Sequence, residues 1–311
     1  SVKMFAKGAR KSIKLFTSFI GLLICSASAK MPGFDIHVGD LILQDNRLEV
    51  SHLKALTNRA EYDNQPLFLP EGDSLLYTSA QTHNKLEQTD SMFVSLESGE
   101  VLNLTKSSES EYSPTLMPNG KSFSVIRAAN DQQKLWRYPL HPRKQSAVPA
   151  SELLTTLNPV GYHAWIDDNR VLLFVLGEPN TLQLADVRFQ TNQVLDQNIG
   201  PSLFAIPHTS LMSYTASVGE EDNIQWQLKS YHPETEQIEL LSILPKGAYY
   251  YAWAGNGYAI AAVDSRLMQW DRANVDKGWR LFADVSDVCP KGVTRLTTNS
   301  QSSKIALVCS L

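Results

Sequence analysis

The chain repeats itself, and that repetition limits its possible folds more than any other feature. The segment YDNQPLFLPEGDSLLYTS, starting at Tyr62, aligns with YSPTLMPNGKSFSVIR, starting at Tyr112. Pro66 matches Pro114, Pro70 matches Pro118 and Gly72 matches Gly120, each pair 48 residues apart. Both segments read as an apolar strand, a Pro-x-Gly turn and a second strand. Proline presets φ at the first corner, and glycine takes the positive φ that closes the turn. YHAWIDDNRVLLFVL, from Tyr162, fits the same frame with Asp167-Asp168-Asn169 as its turn, and YYAWAGNGYAIAAV, from Tyr250, fits it with Gly255-Asn256-Gly257. These two copies lie 88 residues apart, which is two intervals of about 44, and SLFAIPHTSLMSYT from Ser202 fills the gap with a Pro207-His208 turn.

Each hairpin is followed by a second strand pair around a polar turn, expected at Ser98-Gly99, near Thr191-Asn192 and at Pro233-Glu234. Short alternating runs bounded by turn residues are the mark of half-buried strands. The unit is therefore four strands in about 45 residues, the size of a propeller blade. A last hairpin, GVTRLTTNSQSSKIALVCSL from Gly292, lacks its outer pair, while the N-terminal segment offers two unassigned strands, Phe34 to Leu43 and Arg47 to Leu56. Joining them removes two unpaired sheet edges. The expected fold is all-β: a six-bladed β-propeller of four-stranded blades, closed by the N-terminal strands completing the last blade.

Residues 1–29 read as a signal peptide. Lys7, Arg10, Lys11 and Lys14 precede the apolar run LFTSFIGLLIC, and Ala27 and Ala29 occupy the small-residue positions before a cut at Lys30. Eleven apolar residues are too few for a bilayer core of ~30 Å, which argues against an uncleaved anchor. A lipid anchor on Cys25 is disfavoured by Ile24, where a small residue is expected. Cleavage takes away five cationic side chains and no acids, so the formal charge of −4 becomes −9 for residues 30–311. Such a chain is a poor partner for phosphate backbones, which argues against nucleic acid. Export points to the periplasm, an oxidising compartment where Cys289 and Cys309 are expected to bridge; two free thiols are the alternative.

The run Tyr-Ser-Pro-Thr-x-x-Pro-Asn-Gly, with its degraded copies, makes the chain resemble the TolB-type, WD-like β-propeller repeat family of exported bacterial proteins. The likeness covers nearly all of residues 30–311 and is closest from Tyr62 to Tyr138. These residues lack the separate N-terminal α/β domain that TolB itself carries, so TolB's partnership with a peptidoglycan-associated lipoprotein is not carried over. The resemblance implies a fold and an address, since propellers host both binding and catalysis.

Motifs for chemistry are scarce. No G-x-S-x-G elbow is present, and the repeats leave no room within these residues for an added hydrolase domain. The seven histidines include no HExxH and no i, i+4 pair, so neither a metal nor a cofactor is expected. The six tryptophans read better as inter-blade packing than as stacking platforms. Geometry supplies the functional candidates, because the leading ends of the innermost strands converge at one mouth of the central channel. That set is Tyr62, Asp63, Glu111, Tyr112, Tyr162, His163, Tyr250, Tyr251 and Arg295.

The sequence thus predicts a monomeric, non-catalytic periplasmic binding or scaffold protein, using its channel mouth to hold a protein, a peptide or a small polar ligand. The competing expectation is a small periplasmic hydrolase or lyase, with a channel-mouth metal or a pair such as His163 with Glu111 or Asp63. Asp167 and Asp168 are assigned to turning the chain. About four residues of strand at ~3.3 Å each keep them too far from His163 to form a dyad.

Overall fold

The computed structural model describes residues 30–140 and 150–311. The predicted signal peptide, residues 1–29, lies outside the described residues, as does His141. The chain opens with β1 (Phe34–Gln44) and β2 (Arg47–Ala55), and the first complete blade is β3 (Asp63–Phe68), β4 (Ser74–His83), β5 (Leu86–Ser95) and β6 (Val101–Asn103). The second is β7 (Ser110–Leu116), β8 (Ser122–Ala129), β9 (Gln132–Pro139) and β10 (Ser151–Glu152); the third is β11 (Val160–Trp165), β12 (Arg170–Val175), β13 (Thr181–Asp186) and β14 (Thr191–Gln197). The fourth blade holds β15 (Phe204–Ala205), β16 (Met212–Val218), β17 (Gln225–Tyr231) and β18 (Ile238–Ile243). The fifth holds β19 (Tyr251–Trp253), β20 (Tyr258–Val263), β21 (Arg266–Asp271) and β22 (Arg280–Asp284), after which β23 (Val293–Thr298) and β24 (Lys304–Ser310) end the chain.

The sixth blade has the order β2-β1-β24-β23, so the N-terminal pair completes it as the repeat pattern predicts. β1 pairs antiparallel with β24 from Phe34↔Ser310 to Asp40↔Lys304. The closure is held by packing as well as by the ladder. Ile36 on β1, with Ala306 and Val308 on β24, is fully buried against Phe68, Leu75 and Tyr77 of the first blade. Burying one such side chain contributes about 1.5–3 kcal/mol. The same blade carries the disulfide Cys289–Cys309, with Cα atoms 5.1 Å apart, tying the loop before β23 to β24.

The blades follow from the pattern of burial. Middle strands are covered by neighbouring blades on both faces, so Val171, Leu172, Leu173 and Phe174 of β12 form a continuous buried run. Outer strands meet water, and β14 is largely exposed. Among the described residues, the buried side chains form five apolar clusters. Trp253 and Trp270 sit inside one of them, with Trp226 and Trp279 packed against it. Among the described residues, no helix is long and apolar enough to cross a membrane.

Turn chemistry matches the sequence reading at most corners. Gly72 and Gly120 sit at φ 82° and 71°, and each donates its amide back three residues, to Leu69 and Met117. Asp167 Oδ1 accepts from the amides of Asn169 (3.0 Å) and Arg170 (2.7 Å), while Oδ2 accepts from Arg170 Nε at 2.8 Å. One turn is displaced. Thr191 and Asn192 begin β14 rather than turning the chain, because Asp186 Oδ1 captures the amides of Arg188 and Phe189 and starts the turn earlier. Gln190, at φ 55°, supplies the left-handed residue.

Candidate binding cavity

Successive side chains of a strand point to opposite faces, and this splits the nine candidate residues into two sets. Tyr62, Tyr112, Tyr162, Tyr250 and Arg295 gather around the channel axis. Tyr62 meets Tyr112 edge-on, with ring centroids 6.5 Å apart. Arg295 projects from the sixth blade to Tyr162 on the third, directly across the ring. Its Cζ lies 5.1 Å from the Tyr162 ring centroid and 4.9 Å from that of Tyr250, within cation–π range. Nη2 reaches Tyr162 Oη at 3.4 Å. Tyr62 and Tyr112 are only 2 % and 1 % exposed, and Met31 joins the same apolar cluster. The channel is therefore filled at the leading ends of the inner strands.

The second set turns into the blades and finds partners there. Asp63 accepts from Arg59 Nε at 2.9 Å and from Ser79 Oγ at 2.5 Å. Burial still raises its pKa, outweighing the bonds from Arg59 and Ser79. Glu111 accepts from Tyr138 Oη at 2.7 Å and from Ser107, yet burial pushes its carboxyl up to about 7. His163 Nε2 and Trp165 Nε1 both reach Ser124 Oγ on the preceding blade, at 2.6 and 2.8 Å. The later copy repeats this clamp, since Tyr251 Oη and Trp253 Nε1 both reach Ser213 Oγ at 2.8 Å. The aromatic-Ala-Trp motif of the sequence is thus a seam between blades.

These placements bear on catalysis. Burial holds the His163 imidazole down at about 3, whereas a general base needs a pKa near the working pH. No hydrogen bond joins it to Glu111 or Asp63, which are engaged elsewhere. Among the described residues, one group of potential metal ligands comes together: His37, Cys289 and Cys309. Both sulfurs belong to the disulfide and have no thiolate to offer.

Beyond the tyrosine and arginine ring the channel opens into a cavity of about 480 Å³. It runs from Tyr162 and Arg295 toward the turns at Pro70, Pro118 and Gly120, with further wall from Gln65, Ser113, Thr115, Ser202 and Thr297. Five blades contribute. Sequence reasoning gathered the leading ends of the strands and missed these wall residues, which lie farther along. One signal was available, because Gln65 and Ser113 occupy matching repeat positions, each just before a proline. Both sit at positive φ (56° and 54°) in a bulge of the innermost strand. Such strain in a non-glycine residue is a recurrent feature of functional sites. Ser113 N donates to Gln65 Oε1 at 2.7 Å, joining the two blades. Gln65 Nε2, Ser113 Oγ, His163 Nδ1 and Arg295 Nε are buried without a hydrogen-bond partner, and all four belong to residues lining this cavity.

No family model matches the chain, and no curated protein matches it by sequence. Solved structures do match. A protein from Agrobacterium tumefaciens assigned as TolB superposes with a TM-score of 0.65 at 12% identity, covering 91% of this chain and 99% of that one. A chain of a nidogen/laminin complex gives 0.57 at 10% identity, over 89% and 98% of the two chains. An oligogalacturonate lyase in complex with manganese gives 0.55 at 14% identity, over 85% and 83%. Such identities speak to fold alone. The chain has the TolB-like six-bladed β-propeller fold that its repeats imply.

Proposed function

We propose that this protein is a non-catalytic binding protein of the periplasm, exported by a leader at residues 1–29, and that it holds a small polar ligand or a peptide end in its channel cavity. The observation that carries this reading is the clustering of four unpartnered buried polar atoms on residues lining one cavity. Folded proteins satisfy nearly all such atoms, so a concentration of exceptions points to a ligand site. Shape agrees, since a concave pocket of several hundred Å³ with a few converging polar groups suits a small ligand. The side chains with acid–base potential are tied into the blades: His163 to Ser124, Asp63 to Arg59 and Glu111 to Tyr138. The manganese-bound lyase shares the fold, which keeps metal-dependent catalysis as the competing reading.

The test compares the protein purified from periplasm with Thr115→Trp, which fills the cavity from its wall. Native mass spectrometry and metal analysis are run on both after exposure to periplasmic extract. A ligand retained by the wild type and reduced at least about tenfold in the variant supports the reading. Equal retention by both, or turnover of an ester and lactone panel with bound metal, refutes it.

A further inference from the structure

Arg295 is half-buried, with its Nε atom fully so, and no counter-charge stands beside its guanidinium among the described residues. None of the ion pairs among the described residues includes it. An arginine cannot shed its proton to escape burial. Burial alone would lower its pKa, but the oxygens of Tyr162, Tyr250 and Tyr62 outweigh that and hold it above the ordinary value. The nearest stabilisation is therefore the faces and hydroxyls of Tyr162 and Tyr250, leaving Nε without a partner. A charge drawn partly out of water is normally paired, because losing its hydration is costly. Here the pairing group is not supplied by the described chain.

Resting on the binding reading above, we infer that the cavity takes a ligand bearing a carboxylate, seated on Arg295 at the cavity floor. The cavity wall holds no lysine, no second arginine and no acid, so Arg295 balances one negative charge. A planar guanidinium fork matches a planar carboxylate through two parallel N–H···O bonds, and Nε is the unoccupied prong. Gln65 Nε2 and Ser113 Oγ are the unpartnered donors farther along the wall, placed for neutral oxygens of the same ligand. A phosphate dianion would bring one charge more than this wall neutralises.

Isothermal titration at low salt tests this with paired probes: glucuronate against glucose, trialanine against trialanine amide, and inorganic phosphate. The acid of at least one pair should bind about tenfold or more tighter than its neutral counterpart. Which pair responds separates a sugar acid from a peptide C-terminus. Arg295→Met should abolish the preference, and Arg295→Lys should retain part of it. Where Arg295→Met does not fold, Arg295→Gln supplies the second arm, with a severalfold loss confined to the acid because the positive charge is gone while a polar group stays in place. Equal binding of acid and neutral member overturns the inference while leaving the binding reading intact. Absence of binding by both acids, or tighter binding of phosphate, overturns it too. The binding reading falls separately, on the Thr115 comparison.

Discussion

Replacing His163 by tyrosine should make the protein less sensitive to acid. His163 is buried and burial depresses its pKa from 6.5 to about 3, so the folded state holds the neutral ring. A depressed folded pKa contributes stability that is complete above pH 6.5 and is lost as pH falls toward 3. The unfolded chain takes up a proton in that window and the native chain does not. At about 1.4 kcal/mol per pH unit, the loss reaches about 2 kcal/mol at pH 5 and about 3 kcal/mol at pH 4. Tyrosine is the informative substitute because Tyr251, at the matching repeat position, already makes the equivalent bond to Ser213. Urea unfolding followed by tryptophan fluorescence at pH 7, 6 and 5 gives the two pH dependences. Between pH 7 and pH 5 the wild type should lose about 2 kcal/mol more than His163→Tyr. Parallel curves would show that the ring is solvated and titrates normally, and would refute its placement in the blade seam.

Glu111 should act with the opposite sign. Its carboxyl is raised by burial from 4.5 to about 7, so its contribution is complete below pH 4.5 and is lost as pH rises through 7, a total of roughly 3 kcal/mol. Glu111→Gln should remove that fall, and an unchanged slope between pH 5 and pH 8 would contradict the burial argument. Reducing the Cys289–Cys309 bridge, which closes a separation of 20 residues, should cost about 3 kcal/mol by chain entropy. Denaturation with and without reductant, repeated on Cys309→Ala, measures it. A loss below about 0.5 kcal/mol would mean that the bridge constrains the unfolded chain little.

The blade count and the ring closure were legible because they rest on local chemistry repeated many times. Pro70-Glu71-Gly72 and Pro118-Asn119-Gly120 turn the chain by backbone preference, and β12 reads as a buried strand from its own run of apolar residues. The missing half of the last blade was readable from the two spare strands at the other end. The displaced turn before Thr191 shows where local reading ends. The carboxylate of Asp186 captured two amides that no propensity argument had assigned.

The candidate site was half legible. The sequence alone determined that nine polar and aromatic residues stand at the leading ends of inner strands, since strand order and turn positions follow from short-range pattern. Only the tertiary structure decided which way each points. Tyr162 and His163 are neighbours in the chain, yet strand alternation sends one to the axis against Arg295 and the other into the seam against Ser124. The lack of an acidic partner for Arg295 among the described residues is likewise a property of six blades meeting, because every carboxylate in the sequence was a potential partner until the ring closed.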